Sequence, residues 1–289
     1  MHLCAEVTGP SGPIAHPGLV CDVAIGQSTL ATQRVIANLF YRGLVLRRAP
    51  RIGDSLRATT EVVALRDVTA RPGRPAAGLA VLRVRTVDQL DRAVLDFYRC
   101  AMLPIGCEGS PPGHTGDLDA IGGEGDARSM RACLSGWDLE RYRELLPGIH
   151  AGAVAPETRL TVQGGDTVTA APELTRLTLN VAAAHADPGS TGHGRRLVYG
   201  GHTIGIALAH VTRALPNLVT VVGWRSCDHL APVFEGDVLH STIAVEDVEP
   251  PAPDEEGALV GLRVETTARR ADGGPPARVL DWRLVGAMA

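Results

Sequence analysis

The chain carries one pattern twice. Gly53-Asp54 recurs as Gly236-Asp237, and in the same register Tyr41-Arg42 matches Trp224-Arg225, Leu56 matches Leu239, Thr59 matches Thr242 and Gly18 matches Gly201. Further on, Leu82-Arg83-Val84-Arg85-Thr86 returns as Leu262-Arg263-Val264-Glu265-Thr266, and Val94-Leu95-Asp96-Phe97 returns as Val279-Leu280-Asp281-Trp282. A repeat of this length is a domain-sized unit encoded twice, and 289 residues suffice for two cores. Whatever occurs in only one copy is a candidate for specialised function.

Each copy has the same order of elements. A glycine-containing turn leads into one apolar helix, expected from about Leu19 into the Ala31 region in the first copy and from about His202 to Ala214 in the second. Ile204, Ala207, Leu208 and Val211 fall at helical spacing, and Gly205, Ala207 and Ala209 keep the helix surface small. Strand-like runs follow at Leu218–Trp224, Asp237–Val248, Leu259–Thr267 and Val279–Val285. Each Gly-Asp pair suits a tight turn before a strand. Proline-rich loops at Ala70–Ala77 and Pro250–Gly257 hold equivalent places. One helix followed by several long antiparallel strands is an α+β pattern, and a curved sheet wrapped around a single helix is the hotdog architecture. The expected fold is therefore a double hotdog with the two sheets joined. No βαβ alternation, G-x-G-x-x-G or P-loop is present.

The expected domains are residues 1–103, a flexible, exposed Gly/Pro/Ser/Asp-rich linker at 104–136, and residues 137–289, with Asp138 capping a short helix at the start of the second unit. The copies are unequal. The second has its own segment from Trp137 to about Leu179, and no counterpart precedes Gly18. Either the start codon lies inside the gene or the first unit is naturally short; the exposed sheet edge that a hotdog missing its first strand would leave argues for the former. Any site built ahead of the helix then exists once, in the second copy.

Bulk properties exclude several classes. A net charge of −4 without a basic run argues against nucleic acid or an anionic membrane as the main partner. All 28 basic residues are arginine, which fits codon bias. The six cysteines form no C-x-x-C pair and no zinc-like spacing, which suits a reducing cytoplasm and points to no metal. No signal peptide or spanning segment is legible.

The chemistry-bearing stretch is Arg176-Leu-Thr-Leu-Asn-Val-Ala-Ala-Ala-His-Ala-Asp187, followed by Gly194-Arg-Arg-Leu-Val-Tyr-Gly-Gly-His-Thr203. If the first part is a helical turn, Asn180 and His185 share a face. Gly200-Gly201 then enters the central helix, where glycine permits close ligand approach and free N–H groups form an oxyanion site. Tyr199, Gly200, Gly201 and His202 are candidates there, and Asp187 either orients His185 or is merely exposed. Arg42 and Arg225 recur in both copies. Arg225 is a candidate for a substrate carboxylate or CoA phosphate, although repetition favours a structural ion pair. His193, His210, His229 and His240 carry no individual signal.

These residues resemble the MaoC-like, or hydratase 2, family of (R)-specific enoyl-CoA hydratases and dehydratases, and within it the mesaconyl-CoA hydratase (β-methylmalyl-CoA dehydratase) branch. The family motif is D-x-N-P-x-H; here His185 takes the His place, Asn180 the Asp place, and Ala182-Ala183 the Asn-Pro places. The resemblance implies a CoA thioester substrate, no cofactor, and a cytoplasmic homodimer. It implies catalysis by His185 with Asn180 positioning water, and a thioester oxygen bound at Gly201 N–H, with His202 N–H as a second donor. The alternatives are a thioesterase using Asp22 or Asp187, and an acyl-CoA-binding protein with a degenerate site.

Overall fold

The computed structural model describes residues 5–9, 12–69, 76–106, 113–123, 125–251 and 257–289. Most of both proline-rich loops, with Cys4, Cys107 and part of the linker, lies outside them. The helices are α1 (Ala5–Thr8), α2 (Pro17–Ser28), α3 (Ala127–Arg131), α4 (Leu139–Leu145), α5 (Ala171–Leu177), α6 (Ala183–Ala186) and α7 (Gly200–Ala214). The first copy's strands are β1 (Ala37–Leu46), β2 (Arg57–Asp67), β3 (Ala77–Val87) and β4 (Ala93–Pro104). Short β5 (Arg159–Thr161) and β6 (Asp166–Thr167) precede the second copy's β7 (Leu218–His229), β8 (Val238–Glu249), β9 (Ala258–Arg269) and β10 (Ala277–Met288).

The strands form one antiparallel sheet in the order β2-β3-β4-β1-β7-β10-β9-β8-β5, with β6 also on β8. The halves join where β1 pairs with β7, from Phe40 against Asp228 to Val45 against Gly223. The repeated residues explain the symmetry. Arg83 on β3 grips Asp96 on β4 through two hydrogen bonds of 3.1 and 2.7 Å, and Arg263 on β9 grips Asp281 on β10 at 2.9 and 2.6 Å. Across the join, Phe97, Tyr41, Trp224 and Trp282 form a row of buried rings with successive centroids 6.1, 5.7 and 5.3 Å apart. This is the double hotdog.

Helices α2 and α7 lie inside the curve. Pro17 starts α2, where its fixed φ suits the first turn. Ser28 and Thr29 hydroxyls donate to the Ile25 and Gly26 carbonyls at its end. On α7 the predicted stripe of Ile204, Ala207, Leu208 and Val211 is buried. Gly18 and Gly201 recur because the helices touch there. A Cβ on Gly18 would lie 3.4 Å from Leu208 Cδ2, and one on Gly201 only 2.0 Å from Asp22 Oδ1. The Gly-Asp turns also behave alike: Gly53 and Gly236 both take positive φ, and each aspartate caps its own turn. Asp138 caps α4 as expected, accepting from Arg141 N at 2.7 Å.

Part of the linker is anchored. Most of its described residues 113–123 are exposed, but the segment also touches the sheet. Thr115 bridges Arg66 on edge strand β2, and Gly116 N donates to Leu65 O. Leu118 is buried with Leu79, Val81 and Cys100 on the outer sheet face. That face is apolar and β2 lacks the cover that β5 and β6 give β8, so burial and edge pairing outweigh the segment's turn-rich composition.

Candidate functional site

A chamber of about 300 Å³ lies between the repeats. It shares Val35, Ile36, His193 and Leu197 with an outer groove of about 790 Å³. The second copy contributes Asn180, His185, Tyr199, Gly200 and His229, and the first contributes Asn38, Tyr41 and Arg99.

The Asn180 segment is fixed against α2. Gly26 lets the Thr178 carbonyl pack on the helix, because a Cβ there would sit 1.7 Å from Thr178 O. Leu179 turns the chain with φ 60°, and Val181 N donates to Thr29 Oγ1 at 2.9 Å. Asn180 therefore sits in a turn ahead of α6, and the expected shared helical turn with His185 does not form; both still line the chamber. Asn180 Oδ1 accepts from Ala182 N at 3.0 Å, while its buried Nδ2 has no partner.

His185 stands on α6 with Nδ1 2.9 Å from Leu197 O. A carbonyl only accepts, so Nδ1 carries the proton and Nε2 keeps a lone pair. Burial lowers the pKa of His185, and the nearby Arg99 charge lowers it further. The ring is thus neutral near pH 7.

Tyr199 precedes α7 with its ring centroid 5.7 Å from that of His185, and its hydroxyl donates to Asp22 Oδ1 at 3.2 Å. Burial pushes the Asp22 carboxyl up to about 7, partly offset by that hydrogen bond. Gly200 lines the chamber, and a Cβ there would meet His229 Nε2 at 2.6 Å. Gly201 instead faces the crossing of α2 and α7. The expected donor at His202 is spent, since His202 N donates to Tyr199 O at 2.9 Å. Gly200 and Gly201 remain as donors of the first helical turn.

Two other candidates lie outside the chamber. Asp187 is exposed and caps the turn after α6, accepting from Gly189 N at 2.9 Å. Arg225 binds Asp247 through both terminal nitrogens, so the ion-pair reading of this repeated arginine holds. Arg42 likewise pairs with Asp228 at 2.6 Å across the join.

Sequence reasoning missed Arg99 and His229. Burial lowers His229 to about 4, with the His185 charge adding to the effect, and its Nε2 has no partner. Arg99 is 2% exposed on the inner face of β4. One signal for Arg99 was present: the register that pairs Phe97 with Trp282 sets it opposite Leu284. Among the described residues, no three His, Cys, Asp or Glu side chains could together hold a metal, and no helix is long and apolar enough to cross a membrane.

No protein-family profile matches the chain. It is 29% identical over 212 residues to the mesaconyl-CoA hydratase of Cereibacter sphaeroides, covering 72% of this chain but only 60% of that enzyme. It is 27% identical over 278 residues to the beta-methylmalyl-CoA dehydratase of Chloroflexus aurantiacus, covering 86% and 73% respectively. Among solved structures, a MaoC domain protein dehydratase from C. aurantiacus shares the fold at 22% identity and TM-score 0.80, over 98% of this chain and 84% of that one. Rv0216 of Mycobacterium tuberculosis, described as a double hotdog, is 50% identical with TM-score 0.88, over 99% of this chain and 86% of that one. With half its residues shared along nearly its whole length, and with hydratase and dehydratase relatives, the chain belongs to the MaoC-like double-hotdog family.

Proposed function

We propose that the protein is a hydro-lyase that adds water across the double bond of a 2-enoyl-CoA thioester, or removes it from the (R)-3-hydroxyacyl product. The observation that carries this reading is His185, a neutral imidazole tied by Nδ1 to Leu197 O on the wall of a chamber built from both repeats. The CoA arm lies in the outer groove and the acyl group in the chamber. The Gly200 N–H group, at the positive end of α7 and on the chamber wall, binds the thioester oxygen.

Asn180 cannot act as a base, but its unpartnered Nδ2 can donate to the water oxygen. His185 Nε2 takes a proton from that water as its oxygen bonds to the β-carbon. The π electrons shift towards the thioester oxygen, giving an enolate. The imidazolium then returns the proton to the α-carbon, and the carbonyl reforms. One residue carries the proton both ways, so hydrogen and hydroxyl enter from the same face.

The thioesterase alternative has less support, because neither Asp22 nor Asp187 lines the chamber. The test is incubation with crotonyl-CoA and mesaconyl-CoA while enoyl absorbance and free thiol are followed together. Loss of absorbance without thiol is expected. Thiol release would indicate a thioesterase, and binding without either change would indicate an acyl-CoA-binding protein.

A further inference from the structure

We infer that Arg99 is the receptor for a carboxylate at the acyl end of the substrate, so that the preferred thioester is a dicarboxylyl-CoA. This rests on the proposed function and assigns its substrate class to one residue. Arg99 is a cation 2% exposed, and no carboxylate pairs with it among the described residues. Its polar contacts are neutral: Nη2 donates to Ser28 O at 3.2 Å and to Thr32 Oγ1, and Nη1 reaches Asn38 Oδ1 at 3.4 Å. Nε is buried with no partner. The carbonyl end of α2 eases the charge but does not cancel it. A buried guanidinium without a counter-ion is costly unless something anionic arrives.

The surroundings say where that anion comes from. Arg99 lines the chamber but not the outer groove, so with the CoA arm in the groove and the acyl group in the chamber, as proposed, Arg99 meets the acyl part. A CoA phosphate would stay outside, whereas the far end of an acyl group would reach it. Two more residues that line the same chamber, Asn180 and His229, each have a buried nitrogen without a partner, Nδ2 and Nε2. Unsatisfied groups gathered around one void mark a polar ligand. The forked guanidinium suits a carboxylate. The equivalent position in the other repeat is Leu284, so the sheet itself has no need of an arginine there.

The test compares native protein, Arg99→Met and Arg99→Lys, each checked for native circular dichroism and melting. Calorimetry measures binding of succinyl-CoA and butyryl-CoA, saturated esters that cannot be hydrated. Native protein should prefer succinyl-CoA at least tenfold, Arg99→Met should abolish the preference, and Arg99→Lys should retain part of it. Turnover should follow: Arg99→Met should lose at least a hundredfold more kcat/KM on mesaconyl-CoA than on crotonyl-CoA. Equal binding of both esters by native protein would overturn the inference, as would an equal loss on both enoyl substrates. Absence of hydration by native protein would refute the proposed function, while the binding preference would still decide the role of Arg99.

Discussion

Burial and the Arg99 charge both hold His185 below its ordinary pKa of 6.5, so its base form prevails at neutral pH. Activity should rise with pH as the imidazole loses its proton, with a midpoint below 6.5 in kcat/KM. Arg99→Met removes one lowering influence, so that midpoint should move up in pH. A rate profile that does not shift would separate Arg99 from His185. His185→Ala should cost about 10³-fold or more in kcat, since one residue carries the proton in both steps. Asn180→Ala, which removes only a donor to water, should cost about tenfold. An active His185→Ala variant would refute the mechanism. At this scale His185 and Asn180 were legible in the sequence because they sit in a motif. Arg99 was not, because an arginine on a strand becomes informative only once its face and its missing counter-ion are known.

At the scale of elements, α2 does more than fill the first hotdog, because its Gly26 receives the Thr178 carbonyl that precedes Asn180. Gly26→Ala should lower both melting temperature and kcat/KM, because a Cβ 1.7 Å from a backbone oxygen forces the segment away. Gly205→Ala in α7 is the control. Nothing lies within 4 Å of its added Cβ, so the substitution should stabilise by about 0.5–1 kcal/mol through helix propensity. Denaturant unfolding of both variants tests the contrast, and a tolerated Gly26→Ala would mean that α2 does not position the site. Helices and strands were legible from period and composition. The linker's anchor on the sheet was not, since its turn-rich composition conceals Leu118 and the edge pairing at Thr115.

Over the whole molecule, one sheet and one aromatic row make the repeats a single cooperative unit. Trp224 lies at their join, 3% exposed between Tyr41 and Trp282. Trp224→Ala should cost about 3–5 kcal/mol and lower one calorimetric transition as a whole. Two separate transitions in the native protein would contradict this coupling. Asp22, buried where α2 meets α7, gives the fold a pH dependence. Its pKa rises from 3.8 to about 7 on folding, so the native state holds a proton that the unfolded state releases in that window. Stability from this group is therefore present below pH 4 and is lost as pH rises through 7. Asp22→Asn should remove that slope and stabilise the protein by roughly 2–4 kcal/mol at pH 8. Equal stability of the two proteins at pH 8 would refute the assignment.

The sequence by itself determined the duplication and the α+β double hotdog, and it brought His185 and Asn180 forward as candidates. Those properties are written as repeats, periods and motifs, which are local in the chain. Only the tertiary structure decided that the chamber belongs to both repeats, that Gly200 lines it while Gly201 serves the helix crossing, and that Arg225 is an ion-paired strand residue. It alone brought Arg99 to the chamber that holds His185. The physical reason is that burial, counter-ions and void space are set by residues far apart in the chain.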